Sequence, residues 1–328
     1  MVHILVVGPI HSAGVERLTS APEVTFKLID EVSVQSYAPY VGEADAILIR
    51  TQPLPADIIA KAAKLKIVSR HGVGFDAVDV PALNARGIPL AIVGDVNSRA
   101  VAEHTLMLML AAARRTVAHD RASRTGHWNI RNTFETVELD GRNLLILGFG
   151  RIGRRVAELA KAFGMEVSAY DPFVTADAMR SAGVRHVASI PLALGDADFV
   201  SLHIPLSPQG PRIGEKELAL MKPTAIIVNA ARGGLIDEAA LDKALREGRL
   251  AAAGIDVLAD EPPRPGHPLL SNDKVTISPH AAGLTVDCAA RMAVSSVRNI
   301  LDFFDGRLDP ALVVNAAEIG IPGRAAAS

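Results

Sequence analysis

The chain has 328 residues, 49% hydrophobic content, a formal net charge of −2 and a single cysteine. Its length predicts about two domains, and the near-neutral balance supplies no field that would gather nucleic acid or an anionic membrane surface. One cysteine, Cys288, excludes an internal disulfide and a cysteine-rich metal site; it reads as a small apolar filler in a chain suited to a reducing cytosol.

The N-terminus opens directly into a strand-like run, Val2 to Val7, with no basic region ahead of a cleavable apolar stretch. Short apolar runs follow at Val24 to Leu28, Ala46 to Ile49, Ile67 to Arg70 and Pro89 to Ile92, separated by helical stretches such as Ala56 to Lys64. Near-continuous Val/Ile/Leu runs bounded by polar or glycine positions predict strands buried on both faces, hence a parallel sheet. Ser98 to Ala122 carries Val101, Leu106, Met109, Leu110 and Val117 at helical spacing, with Asn97 or Ser98 to cap it, and predicts one helix crossing between domains. Its most apolar part, Leu106 to Ala113, is far too short to span a membrane, so a soluble, cytoplasmic chain is expected.

A second series of runs begins at Leu144 and continues through Val167 to Ala169, Phe199 to Leu202, Ala225 to Asn229, Ala252 to Val257 and Val275 to Ser278. Six strands make a complete doubly wound dinucleotide fold. A helix over Thr285 to Asp305 then carries the chain back, so the expected domains are residues 1–98 plus 285–328 and, inserted between them, residues 99–284. The tail, Gly323 to Ser328, is of low complexity and expected to fray.

Asn143 to Gly153 reads as a strand, a turn with Gly148, Gly150 and Gly153, and a helix start; Asp171 lies 18 residues past Gly153, at the end of the next strand. The first glycine permits the tight turn, the second lets backbone approach a pyrophosphate, and the third lets the helix pack closely on the sheet. Phosphate sits on the unpaired N–H groups at the helix start. The Asp171 carboxylate can accept bonds from both adenosine ribose hydroxyls, and a 2′-phosphate there would meet like charge with no arginine in Pro172, Phe173 or Val174. NAD is therefore expected over NADP.

Polar residues at strand ends of a doubly wound sheet face the ligand crevice. Arg232 follows the run ending at Asn229, Glu261 follows Asp256 and Val257, His280 follows Val275 to Ser278, and His203 follows Leu202. A cation, a carboxylate and an imidazole at neighbouring strand ends suit the interconversion of a 2-hydroxy acid and a 2-keto acid. Arg232 can hold the carboxylate and polarise the carbonyl through its donor fork. His280 can exchange the hydroxyl proton, and Glu261 can orient the imidazole and stabilise its protonated form. Asp256 is a candidate acceptor for the nicotinamide carboxamide, or a cap for the following turn, and His203 a cofactor contact or a strand terminator. In the first series, the glycines of His71 to Asp76 can expose the Val73 and Gly74 backbone to a carboxylate, or form only a tight turn. Arg50, at the end of Ala46 to Ile49, is a second cation for a distal anionic group, or a surface ion pair.

These residues resemble the D-isomer-specific 2-hydroxyacid dehydrogenases, in the branch of D-3-phosphoglycerate dehydrogenase and the hydroxypyruvate/glyoxylate reductases. The resemblance rests on Arg50 with Thr51, His71 to Asp79, Val101 to His104, Gly126 to Trp128, Gly148 to Gly153, Asn229 to Asp237, Asp256 with Glu261 and Pro262, and Ser278 to His280 with Gly283. It implies a Rossmann NAD domain inserted in a flavodoxin-like substrate domain, closure over a cleft, and a homodimer formed largely by the NAD domains. It also implies that Arg151, Ile152, Pro205, Ala230 and Gly283 join the cofactor residues, that Val73 and Gly74 bind substrate carboxylate, and that Arg232, Glu261 and His280 carry the chemistry. The expected partner is a small anionic 2-hydroxy or 2-keto acid, with no nucleic acid, membrane or metal. Substrates of the phosphoglycerate dehydrogenase type lead, hydroxypyruvate or glyoxylate are the alternative, and an NADH-sensing role like that of the corepressors sharing this fold is the alternative of another class. Ser207 to Arg212 departs from the threonine-rich turn common in the family, and nothing after Asn315 resembles the regulatory domain of many phosphoglycerate dehydrogenases.

Overall fold

A computed structural model describes residues 1–31, 33–207, 210 and 212–321; much of the departure noted at Ser207 to Arg212, and the tail from Gly323, lie outside them. The chain divides into two compact units, one comprising Met1–Asn97 and the segment from Leu284 onward, the other Ser98–Gly283.

The first unit runs β1 (Val2–Val7), α1 (Ser12–Thr19), β2 (Val24–Ile29), α2 (Val34–Tyr37), β3 (Ala46–Ile49), α3 (Ala56–Lys61), β4 (Ile67–Arg70), α4 (Val80–Asn84) and β5 (Leu90–Ala91). The second continues with α5 (Ser98–Ala113), α6 (Thr116–Arg124), β6 (Asn143–Leu147), α7 (Arg151–Ala162), β7 (Glu166–Tyr170), α8 (Ala176–Ser181) and β8 (Arg185–His186). It ends with α9 (Ile190–Leu194), β9 (Phe199–Leu202), α10 (Glu215–Leu220), β10 (Ile226–Asn229), α11 (Glu238–Arg246), β11 (Ala252–Ile255) and β12 (Val275–Ile277), before α12 (Val286–Phe304) returns to the first unit.

The first unit is a parallel sheet of order β2-β1-β3-β4-β5, the flavodoxin-like order. Alternate residues of its central strands fill two cores, as the period of a strand requires. Ile4, Val6, Ala46 and Leu48 pack with Leu18 of α1 and with Val297 and Ile300 of α12, while Leu5, Val7, Ile47 and Ile49 pack with Ile58, Ile59 and Leu83. Thr285 caps α12 by accepting from the Cys288 N–H, and Cys288 itself is buried. The C-terminal segment closes the β5 edge: Asn315 accepts from the Leu90 N–H at 2.8 Å and donates to the Ile88 carbonyl at 2.9 Å.

The second unit is a seven-stranded parallel sheet, β12-β11-β10-β9-β6-β7-β8, whose order reverses between β6 and β9. That reversal opens the ligand crevice of a Rossmann fold. The sequence predicts six strands here; the seventh, β8, is two polar residues paired to β7 at the sheet edge and carries no apolar run to reveal it. The single helix expected over Ser98 to Ala122 is instead broken. Arg115 adopts a left-handed φ of 48°, held by an ion pair to Glu135 and by the Val137 N–H on the Ala113 carbonyl at 3.0 Å. Both contacts come from a segment some 20 residues further along, so helical periodicity alone could not reveal the break.

Candidate functional site

The glycine turn has the geometry its sequence implies. Gly148 has φ +96°, and a side chain there would collide with the His203 backbone. A side chain at Gly153 would strike the Gly148 carbonyl, so α7 can lie against the turn only with glycine present. Gly150 differs: a Cβ there would meet nothing within 4 Å, and no side chain caps α7. Open space above uncapped N–H groups at the start of a 12-residue helix is where a pyrophosphate fits. Asp171 turns back on this loop, with Oδ2 accepting from the Phe149 N–H and Oδ1 from the Phe173 N–H, each at 2.8 Å. Ala230 and Ala282 are buried beside Val101 and Ile152, whereas Arg151 and Pro205 are exposed.

His203 sits where β9 ends, its N–H on the Leu147 carbonyl at 2.7 Å and its Nε2 at 2.8 Å from the Ser201 hydroxyl. Burial pushes its pKa down to about 3, so the ring is neutral at neutral pH, and Nδ1 is shielded from solvent without a partner. A shielded ring nitrogen lacking a hydrogen bond is rare unless something else fills the role.

Arg232, Glu261 and His280 come from the carboxyl ends of β10, β11 and β12, which are neighbours in the sheet. Asn229 shapes the Arg232 turn: its Oδ1 accepts from the Ala231 N–H at 3.0 Å, and its Nδ2 donates to the Arg232 carbonyl at 2.8 Å. Gly233 brings that turn against the next one, since a Cβ there would overlap the Leu258 carbonyl. Glu261 Oε1 accepts from the Leu258 N–H at 3.0 Å, and Oε2 lies 2.7 Å from His280 Nδ1. Burial pushes the Glu261 carboxyl up, but hydrogen bonds from His280 and Leu258 outweigh it and hold the pKa below the ordinary glutamate range. The carboxylate is therefore anionic at neutral pH and faces an imidazole whose side chain is 48% exposed.

His280 has φ +52°. A left-handed non-glycine residue costs on the order of 1–3 kcal/mol and persists only where its surroundings over-determine it. Buried Asp256 does so. Its carbonyl accepts from the His280 N–H at 2.7 Å, Oδ1 from the Ala281 N–H at 2.8 Å, and Oδ2 from the Ala282 N–H at 3.0 Å. Burial alone would raise the Asp256 pKa; hydrogen bonds from His104, Ser278, Ala281 and Ala282 reverse the sign and lower it. These bonds tie the Asp256 carboxylate to the loop after β12, 22 to 26 residues further along, rather than to the turn that follows Asp256.

Sequence reasoning missed Glu238 and His267. Glu238 Oε1 accepts from the Ala259 N–H at 2.7 Å and Oε2 meets His267 Nε2 at 2.9 Å, which fastens the loop bearing Glu261 to α11. Only their position in the fold links them, since 29 residues separate the pair.

Arg50, Val73 and Gly74 lie in the first unit, at the carboxyl ends of β3 and β4. Arg50 Nη1 donates to the Pro9 carbonyl at 3.3 Å. Beside them His71 is buried, and burial followed by the charge of Arg50 pushes its pKa down to about 4. Among the described residues no cluster of three or more His, Cys, Asp or Glu could hold a metal ion, and no helix is long and apolar enough to cross a membrane.

Residues 106–282 match the NAD binding domain of the D-isomer specific 2-hydroxyacid dehydrogenases. The chain is 40% identical over 306 residues to a D-3-phosphoglycerate dehydrogenase of Methanocaldococcus jannaschii, covering 92% of this chain and 58% of that relative. It is 41% identical over 279 residues to a glyoxylate reductase of Aeropyrum pernix, covering 83% of each. Among solved structures, a glyoxylate reductase from Paecilomyes thermophila is similar at a TM-score of 0.82 and 31% identity, over 94% of this chain and 97% of that one. The chain spans a little over half the length of the curated D-3-phosphoglycerate dehydrogenases it matches. With the glycine turn and the strand-end residues in one sheet, these likenesses establish that the chain belongs to the D-isomer specific 2-hydroxyacid dehydrogenase family and carries its NAD-binding domain.

Proposed function

We propose that the chain is an NAD(H)-dependent oxidoreductase that interconverts a small D-2-hydroxy acid and its 2-keto acid, in the manner of D-3-phosphoglycerate dehydrogenase, with hydroxypyruvate or glyoxylate as the alternative substrates. The observation that carries this reading is the 2.7 Å Glu261–His280 pair, one strand away from the Arg232 turn in the sheet that bears the glycine turn.

NADH, when bound, would supply a hydride for C2 of the keto acid. His280 gives a proton to the carbonyl oxygen as it becomes a hydroxyl, and takes it back in the reverse direction. Glu261, anionic and bonded to Nδ1, fixes the orientation of the ring. Arg232 pairs with the substrate carboxylate and polarises the carbonyl. The Gly148 to Gly153 turn would hold the pyrophosphate with Arg151 and Ile152, and Asp171 the adenosine ribose. His203, Pro205, Ala230, Asp256 and Gly283 would line the rest of the dinucleotide. Arg50, Val73 and Gly74 of the first unit would meet the substrate's anionic groups.

A homodimer in the cytoplasm is the assembly we infer. Met107 and Phe163 expose 42% and 45% of their surface on the α5 and α7 side of the second unit, and the segment after α6 exposes 64% of Trp128 and 88% of Phe134. An apolar surface of this kind marks an interaction face, and a second copy of the chain covers it symmetrically.

NADH oxidation followed by absorbance against phosphohydroxypyruvate, hydroxypyruvate, glyoxylate, pyruvate and longer keto acids tests the reading, with His280→Ala as control. Turnover on one class that vanishes in the control supports it. NADH binding with silence across the panel moves the assignment to the sensing role.

A further inference from the structure

His280 reaches its left-handed geometry through Asp256, and the structure shows what in turn holds Asp256. The Ser278 hydroxyl lies 2.6 Å from Asp256 Oδ1 and gives its single proton there. His104 Nε2 lies 2.8 Å from the same hydroxyl and 3.3 Å from Asp256 Oδ1. Since the serine proton is already committed, Nε2 must carry a hydrogen and act as the donor. His104 comes from α5, which reaches this place because β11 offers no side chain at Gly254: a Cβ there would lie 2.9 Å from the Leu108 Cβ. Leu108 stands one helical turn after His104, on the same face.

We propose that His104 is a positioning residue for the proton-transfer pair: through Ser278 and Asp256 it fixes the loop that carries His280. The proposal rests on the dehydrogenase reading above but concerns a residue whose ring bonds to Ser278 and Asp256 rather than to His280 or Glu261. Its N–H is the outermost link of a chain running from α5 to Ser278, to Asp256, and then to the N–H groups of His280, Ala281 and Ala282.

The test uses the full chain with His104→Leu, His104→Gln, Ser278→Ala and the Leu/Ala double variant. His104→Leu should lower kcat by about tenfold to 100-fold, the usual effect of losing a partner that orients a catalytic group, while NADH affinity and substrate KM change little. Glutamine can present an N–H near the Nε2 position, so His104→Gln should recover most of the loss. Residues in one network are not additive, so the double variant should be little worse than the poorer single one. Retention of kcat within about twofold in His104→Leu, or losses that simply multiply in the double variant, would overturn the proposal. Should the wild-type chain turn over no keto acid, the dehydrogenase reading fails by itself. Hydrogen exchange at the Ala281 and Ala282 amides then decides the positioning role: faster exchange in His104→Leu supports it, and unchanged protection sinks it.

Discussion

Glu261 is gripped from one side and pushes from the other: Oε1 accepts from the Leu258 N–H at 3.0 Å, which leaves Oε2 aimed at His280 Nδ1, 2.7 Å away. The hydrogen bond from its own turn sets the direction in which the carboxylate points. Glu261→Gln keeps the shape and removes the negative charge beside His280 Nδ1. We expect kcat to fall on the order of 100-fold, within the range of general acid–base contributions, with NADH binding preserved. In the wild-type chain the lowered Glu261 pKa keeps the carboxylate charged, so support for His280 should persist to more acid pH than an ordinary glutamate allows. Stopped-flow rates from pH 8 down to pH 4 read both effects, and a glutamine variant with wild-type rates would remove Glu261 from the mechanism.

Arg232→Lys preserves charge and loses the planar fork. Because Asn229 and the close approach at Gly233 fix the turn, a lysine cannot shift the backbone to regain a bidentate grip. Substrate KM should rise about tenfold or more, the scale of one lost charged hydrogen bond, with no change in thermal midpoint. Gly233→Ala should lower stability and turnover together, because its methyl must displace the Leu258 backbone.

Two histidines give the chain an acid sensitivity whose sign follows from burial. His71 and His203 have folded pKa values of about 4 and about 3, against about 6.5 in an unfolded chain. Below pH of about 6.5 the unfolded state binds protons that these rings refuse, so stability present at neutral pH is lost as pH falls toward the folded values. Urea midpoints should therefore drop between pH 7 and pH 5. His71→Gln should flatten that drop for the first unit and His203→Gln for the second; equal slopes in the variants would mean the titrating groups lie elsewhere.

Asp171→Ser should weaken NADH binding about tenfold, the scale of a lost charged hydrogen bond, and narrow the gap to NADPH by removing the charge that opposes a 2′-phosphate. Because this carboxylate also accepts from the Phe149 N–H, the variant should loosen the glycine turn as well. Titration by fluorescence with both cofactors checks this, and an unaltered NADH/NADPH ratio would show that Asp171 does not read the ribose.

The sequence by itself determined the two parallel α/β sheets, the glycine turn and the strand ends from which Arg232, Glu261 and His280 arise. These features depend on local physics: unbroken Val/Ile/Leu runs, glycines where backbone must come close, and polar residues where buried strands emerge. The helix over Thr285 to Asp305 was likewise legible, since Thr285 caps it and its apolar spacing is regular. Only the tertiary structure decided what depends on partners distant in the chain. The break at Arg115 is held by Glu135 and the Val137 amide, β8 exists only as a neighbour of β7, and Glu238 with His267 meets the Glu261 loop from α11. His104 and Ser278 stand 174 residues apart, and no periodicity or spacing records that one donates a hydrogen bond to the other. Local propensity is a property of neighbouring residues, whereas a hydrogen bond between elements depends on how both pack on the sheet, and that packing sets the conformation of His280.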